Sequence, residues 1–210
     1  VIDVDASPLK KGTDLETNYV INYHTGDLKI QNRPADQKYI ATITPDGLNT
    51  TYDGTEKVVN TFKSSFTDQN QQPLSGFRVE GVTFEAKGTN VGEYPVVQSG
   101  TVKIVDNFGN DVTEQFTCKV GQANLVINKR DITITAASET FDYDGEYHSN
   151  SYSSVTAGSL VTGHRYTATV SGTVHNQGEI VDNVISDIHI YDANNNEVTK
   201  NYNITAENGK

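Results

Sequence analysis

The feature that most constrains this chain is that it resembles itself. Tyr52-Asp53-Gly54 returns as Tyr143-Asp144-Gly145, 91 residues later. Gly92-Glu93-Tyr94 returns as Gly178-Glu179-Ile180, and Asp106 through Phe116 as Asp192 through Tyr202, both 86 residues later. The shortfall of five lies between the two landmarks. The polar stretch Thr67-Asp68-Gln69-Asn70-Gln71-Gln72-Pro73 is its natural place, because surface loops tolerate insertion. A third, partial copy stands at the front. Asp14 through Tyr19 matches Asp111 through Phe116, and Leu28-Lys29-Ile30-Gln31-Asn32-Arg33 matches Leu125-Val126-Ile127-Asn128-Lys129-Arg130, both 97 residues apart. Self-similarity at a fixed spacing is the signature of a modular array.

Arg33 and Arg130 then close successive repeats. Residues 1–33 read as the C-terminal part of a preceding repeat, 34–130 as a complete repeat, and 131–210 as a second repeat that lacks its closing strand. At the 86-residue offset, the counterpart of Leu125-Val126-Ile127 falls at 211–213, past the last residue. The chain starts on Val1 and has no Met, so it reads as a processed or excised piece whose export signal lay elsewhere.

Within a repeat the pattern is that of strands. Asp131-Ile132-Thr133-Ile134-Thr135-Ala136 alternates apolar and polar residues, as do Val102-Lys103-Ile104 and Ile188-His189-Ile190. Period 2 marks a strand with one buried face. Thr, Val, Ile and Tyr suit that surface, and the many Asn and Gly suit its turns. No window shows helical periodicity with caps. The complete repeat divides into about seven short strands. Ala41 and Ile43 open it, followed by Val58-Val59, Phe77 to Phe84, Tyr94 to Val97, and Val102 with Ile104. Phe116, Cys118 and Val120 share a face on the next, and Leu125 with Ile127 forms the last. Seven short strands in such a length predict an all-β chain of tandem immunoglobulin-like β-sandwich repeats. The alternative, a β-grasp-like repeat, needs a helix.

Charge narrows the partners. Sixteen Lys and Arg face 27 Asp and Glu, a net charge of -11. That argues against nucleic acid and anionic membrane, whose phosphates repel such a surface. No apolar run approaches the ~18 residues of a membrane-spanning helix. A single Cys excludes an internal disulfide and a Cys-based zinc site.

These landmarks resemble the tandem repeats of large surface proteins of Gram-positive bacteria. There a Tyr-Asp-Gly segment is followed by Gly-Thr-x-x-Gly-x-Tyr, then by Asp-Val-Thr-x-x-Tyr and a Gly-x-Leu-x-Ile strand. Here they read Tyr52-Asp53-Gly54, Gly88-Thr89-Asn90-Val91-Gly92-Glu93-Tyr94, Asp111-Val112-Thr113-Glu114-Gln115-Phe116 and Asn124-Leu125-Val126-Ile127. The second copy has Glu197-Val198-Thr199-Lys200-Asn201-Tyr202. Phe116 and Ile180 stand where the pattern has Tyr. The resemblance implies adhesin or stalk repeats on a wall-anchored or secreted protein, hence an extracellular location, with adjacent repeats as partners. It implies no catalytic residue and no cofactor.

The residues themselves agree. The five His form neither His-Glu-x-x-His nor any other metal or hydrolase motif. His189, between Ile188 and Ile190, reads as a solvated face residue. Cys118 reads as a small inward filler rather than a nucleophile, which needs an exposed electropositive setting. Asp192-Ala193-Asn194-Asn195-Asn196-Glu197 carries half of a calcium-loop pattern, but Glu197 and Asn203 stand where Gly and a carboxylate belong, so it reads as a polar hairpin. Lys and Asn fall at polar or loop positions, unsuited to a buried Lys–Asn isopeptide bond. The structural landmarks Tyr52, Asp53, Gly54, Gly92, Tyr94, Phe116, Tyr143, Asp144, Gly145, Gly178 and Tyr202 read as core rings and turn residues, the glycines accepting backbone geometry closed to other residues.

The expected role is a non-enzymatic spacer or adhesive stalk. Its rival is a module binding a host glycan or matrix protein through the 67–76 loop. One structural expectation is sharper. Asp27-Leu28-Lys29-Ile30, the closing strand of the preceding repeat, packs against the first full repeat or fills the open slot of a neighbouring molecule; packing within the molecule is preferred.

Overall fold

A computed structural model describes residues 26–210. The match at Asp14–Tyr19 lies outside the described residues. Fourteen strands follow one another, with three short 3-10 turns and no α-helix among the described residues. The chain is therefore all-β and of sandwich type, and the helix that a β-grasp repeat requires is not among these elements.

The first strand set comprises β1 (Tyr39–Pro45), β2 (Leu48–Thr51), β3 (Lys57–Val59), β4 (Phe62–Thr67), β5 (Phe77–Gly88), β6 (Gly92–Pro95), β7 (Val97–Asp106), β8 (Phe116–Val120) and β9 (Asn124–Asn128). β1 lies between antiparallel β4 and parallel β8. β5 lies between β3 and β7, antiparallel to both. β9 is the middle strand of a third sheet, parallel to β2 and antiparallel to β6. Alternation does what period 2 requires: Ala41 and Ile43 of β1 face Phe66, Val82, Phe84, Ile104 and Phe116 in a closed apolar interior. Phe66, Phe77 and Phe116 meet tilted or edge-on, with ring centroids 5.0–5.7 Å apart, the arrangement aromatic quadrupoles favour.

The second set comprises β10 (Arg130–Ala136), β11 (Ser153–Gly158), β12 (Arg165–Ser171), β13 (Val184–Tyr191) and β14 (Tyr202–Glu207). β10 lies between antiparallel β11 and parallel β14, as β1 lies between β4 and β8. β12 and β13 pair antiparallel, as β5 and β7 do. The turns agree atom for atom. The Asp106 carboxylate accepts the N–H groups of Phe108 and Asn110 and the Asn110 side chain. That of Asp192 accepts the N–H groups of Asn194 and Asn196 and the Asn196 side chain. Glu139–Asp142 and Gly178–Val181, the sequence counterparts of β2 and β6, are not strands.

Four expectations need correction. The first set has nine strands rather than seven. β2 and β4 escape a period-2 pattern because Leu48-Asn-Thr-Thr and Phe62-Lys-Ser-Ser-Phe-Thr are polar along most of their length. Cys118 and Val120 do share the face of Phe116, but β8 is the edge of its sheet and burial stops at Phe116, so both are exposed. Tyr143, expected in a core, is 69% exposed. Asp27–Ile30 forms no strand, and Leu28 and Ile30 are fully exposed.

Candidate functional site

The most developed site is the boundary between the two strand sets. β9 ends at Asn128 and β10 begins at Arg130, leaving Lys129 alone between them. One apolar cluster runs across that boundary. It contains Tyr52, Val59, Leu125 and Ile127 from the first set and Ile132, Ile134, Ile190 and Tyr202 from the second.

Tyr52 is held where this cluster closes. Its backbone N–H donates to the Asn128 carbonyl at 2.9 Å, extending the β2–β9 pairing by one residue. The turn that follows is built by Asp53, whose carboxylate accepts the Thr55 N–H at 3.0 Å and the Thr55 hydroxyl at 2.7 Å. Lys57 Nζ lies 2.5 Å from the same carboxylate. The Lys57 bond and the Thr55 bonds together hold Asp53 down to about 2. Gly54 completes the turn at φ 79° and Gly145 repeats it at 88°, values an L side chain resists. Asp53 and Gly54 are thus turn residues, and the ring they present is the group that packs across the boundary.

That ring is 3% exposed because the second set covers it. Tyr202 meets it edge-on at 5.7 Å between centroids, and the His164 ring lies at 6.1 Å. Tyr202 Oη accepts the Val161 N–H at 3.1 Å and lies 2.8 Å from His164 Nδ1. The hydroxyl proton is therefore free to point at an unprotonated Nδ1. Burial lowers His164 below its ordinary value, opposed by the charge of Asp192. Burial also raises both Tyr52 and Tyr202. All three groups are neutral near pH 7, as a desolvated aromatic contact requires.

A polar clasp stands beside the rings. Asn201 is 0% exposed. Its Oδ1 accepts the Val91 N–H at 3.0 Å, and its Nδ2 donates to Asn90 Oδ1 at 2.8 Å. Both partners belong to the β5–β6 turn of the first set. This explains the Gly-Thr-x-x-Gly-x-Tyr segment. Tyr94 Oη donates to the Asn90 carbonyl at 2.8 Å, folding its ring back over the turn. A Cβ on Gly88 would overlap that ring. Gly88, Gly92 and Tyr94 therefore shape the loop that Asn201 grips. Tandem similarity marks Tyr52 and Tyr202 as rings but gives no sign that they touch, and it overlooks His164 and Asn201. The signal for Asn201 is faint: it aligns with Gln115, whose Oε1 accepts the Arg33 N–H at 3.0 Å at the other end of the first set.

A cleft of about 1110 Å³ opens along one side of the boundary, lined by Tyr52, Asp53, Thr89, Arg130, His164 and Asp192. Its carboxylates are engaged by their own turns, and its imidazole is held by Tyr202. Among the described residues no cluster of three or more His, Cys, Asp or Glu is arranged to hold a metal ion. His189 is exposed and meets Glu197 at 2.9 Å. Cys118, though exposed, has its thiol raised by partial desolvation, which Lys38 only partly opposes, the reverse of an activated nucleophile. The buried polar residues among those described are Asn183 and Asn201, and Asn183 Nδ2 donates to the carbonyls of Ala137 and Asn150.

The Thr67–Gly76 loop is a closed turn. Asp68 accepts the N–H groups of Asn70 and Gln72 at 2.8 Å, and Leu74 returns into the interior of the first set. Comparison with protein-family models, with curated proteins and with solved structures returns no match.

Proposed function

We propose that this chain is a non-enzymatic run of tandem immunoglobulin-like repeats from the surface of a Gram-positive bacterial protein, working as a stiff spacer or stalk. One observation carries the reading: the ring of the Tyr-Asp-Gly segment is spent on sealing its own set to the next. A catalytic or ligand-binding motif would present its side chains to solvent. This one buries Tyr52 against Tyr202 and leaves a single residue, Lys129, as linker. A linker that short, with a continuous apolar cluster beneath it, holds consecutive units end to end, so that stiffness adds along an array. On this reading its partners are adjacent repeats, and the resemblance in the sequence supports an extracellular location. Small-angle scattering tests the reading. One rigid arrangement of the two strand sets is expected, and a freely jointed pair would sink it.

A second reading has its own observation. The Thr67–Gly76 turn fixes Asn70, Gln71 and Gln72 at an exposed tip, and the second set has no counterpart of it. A fixed polar tip suits a glycan or matrix protein. Binding on a glycan and matrix-protein array that is lost when residues 69–72 are replaced by glycine supports it; an array without signal removes it.

A further inference from the structure

Phe116 and Tyr202 hold equivalent places in the two sets. Each opens a strand after a 3-10 turn, Thr113–Gln115 or Thr199–Asn201. In each turn a threonine hydroxyl accepts a backbone N–H at 2.8 Å, Thr113 from Ile104 and Thr199 from Ile190. The rings around them differ. Phe116 is met by Tyr39, Phe66 and Phe77 at 5.0–5.7 Å between centroids, all from its own set.

Strand register shows what the second set has in those places. Arg130 pairs with Tyr202 as Tyr39 pairs with Phe116. Gly158 pairs with Ile132 as Phe66 pairs with Ala41. His164 follows Gly163 as Phe77 follows Gly76, both glycines at positive φ. Two of the three rings are thus replaced by residues without one, and only His164 remains. Ile132 in the place of Ala41 restores some volume but no ring. The further ring that meets Tyr202 is Tyr52 of the first set.

The rest of the interior agrees. The first set has two apolar clusters wholly its own, one around Phe66 and Phe116 and one around Ile43 and Phe84. Every buried apolar side chain of the second set among the described residues, Ile132 and Ile190 included, belongs to the cluster that also holds Tyr52, Leu125 and Ile127. The place is shaped for a phenol. Leu74 donates its N–H to the Phe66 carbonyl at 2.8 Å, whereas Val161 donates to the Tyr202 hydroxyl at 3.1 Å and so fixes that ring. Burial raises the Tyr52 hydroxyl, and the Asn201 side chain opposes the rise as its hydrogen-bond partner. A Cβ on Gly54 would stand 3.0 Å from Val161 and 3.5 Å from His164, so the turn seats its ring closely only with glycine there.

We propose that Val161, His164, Asn201 and Tyr202 form a socket for the tyrosine ring of a Tyr-Asp-Gly turn on a neighbouring repeat, and that the interior of the second set is complete only with that ring in place. The first set, filled by Tyr39, Phe66 and Phe77, closes without a guest. A repeat of the second kind therefore depends for its stability on the repeat beside it. The inference rests on the tandem-repeat reading and names the group that couples one repeat to another.

Amide hydrogen exchange on the full chain, resolved by residue, tests it through the matched pairs Ala41 with Ile132 and Ile104 with Ile190. In the native chain Ile132 and Ile190 are expected to exchange faster than Ala41 and Ile104. Tyr52→Ala is expected to speed Ile132 and Ile190 by about a hundredfold, as loss of a large buried ring does, and Ala41 and Ile104 by less than about tenfold. Tyr52→Phe should keep most of the protection. p-Cresol, the tyrosine side chain as a free molecule, is expected to slow Ile132 and Ile190 again in Tyr52→Ala and to leave the native chain unchanged, because its socket is full. Slower exchange in the second set than in the first in the native chain, equal acceleration of both sets in Tyr52→Ala, or a variant indifferent to p-cresol would each overturn the proposal. The native comparison decides even if Tyr52→Ala does not fold. A chain rigid in scattering whose two sets accelerate equally loses the socket and keeps the stalk reading.

Discussion

Tyr52 and Tyr202, 150 positions apart in the chain, meet edge-on with their ring planes at 78° and neither ring left to solvent. Tyr52 closes the first strand set and Tyr202 opens the last strand of the second. The relation explains why a ring at the Tyr-Asp-Gly position is buried in one copy and exposed in the other. What buries Tyr52 is the second set; Tyr143 packs under no comparable cover and is 69% exposed.

Removing the Tyr52 ring should therefore cost far more than removing that of Tyr143. Tyr52→Ala is expected to destabilise the chain by about 3 kcal/mol, as for other large-to-small changes in a closed interior. Tyr143→Ala should stay within about 0.5 kcal/mol of the native chain, as exposed substitutions do. Urea unfolding of both variants measures the difference. Equal losses would mean that the rings serve their own sets alone.

The clasp should be sensitive to chemistry rather than volume. Asn201→Leu nearly preserves size but strips the Val91 N–H and Asn90 Oδ1 of their partner. A loss of about 1–3 kcal/mol is expected, the cost of an unsatisfied buried donor. Asn203→Leu on β14, exposed and with its side chain donating to Asp131, is the matched control and should cost less. Thermal unfolding of the pair decides it.

Gly88→Ala should push the Tyr94 ring off the β5–β6 turn. Overpacked sites of this kind lose about 1–3 kcal/mol. The double variant Gly88→Ala with Tyr94→Ala should then lose little beyond Tyr94→Ala alone, because the obstructing ring is gone. Additive losses would contradict this account of the segment.

How much of this was legible in the sequence follows from what repetition can encode. Alternation at Ile132-Thr133-Ile134-Thr135 announces a half-buried strand, and β10 is one. Asp-Gly after Tyr announces a turn, and Gly54 and Gly145 both adopt it. Self-similarity identifies equivalent positions, but it is blind to which neighbour each position meets. Tyr143 inherits the landmark of Tyr52 without its cover, and Cys118 has the right parity on a strand whose sheet stops beside it. β4 was hidden because Phe62 and Phe66 are separated by Lys-Ser-Ser, which reads as loop until β1 is seen alongside. Asn201 and His164 could not be found by pattern, since their roles lie in contacts across 111 and 38 residues.

Acid should weaken the chain in two steps. His164 is held below its ordinary 6.5 by burial, against the opposing charge of Asp192. The unfolded chain therefore takes up the proton first, and stability falls as pH drops below about 6.5 until the folded value is passed. Protonation also turns Nδ1 into a donor facing a hydroxyl that can no longer donate to it. Asp53 is depressed from 3.8 to about 2, chiefly by the Lys57 bond and then by Thr55. Its contribution is complete well above pH 3.8 and is lost as pH falls through about 2. Stability followed across pH should show both limbs. His164→Gln should flatten the upper one and leave the lower; an unchanged upper limb would remove His164 from the account.

The central claim is that Tyr52 fixes one strand set against the next, and a distance distribution across the boundary tests it most directly. Cys118 is free and exposed on β8, and Ser171→Cys places a second spin label at the exposed end of β12. Pulsed electron resonance on the doubly labelled chain should give a single narrow distance, which broadens when Tyr52→Ala is added. A broad distribution in the chain with Tyr52 intact would contradict the claim.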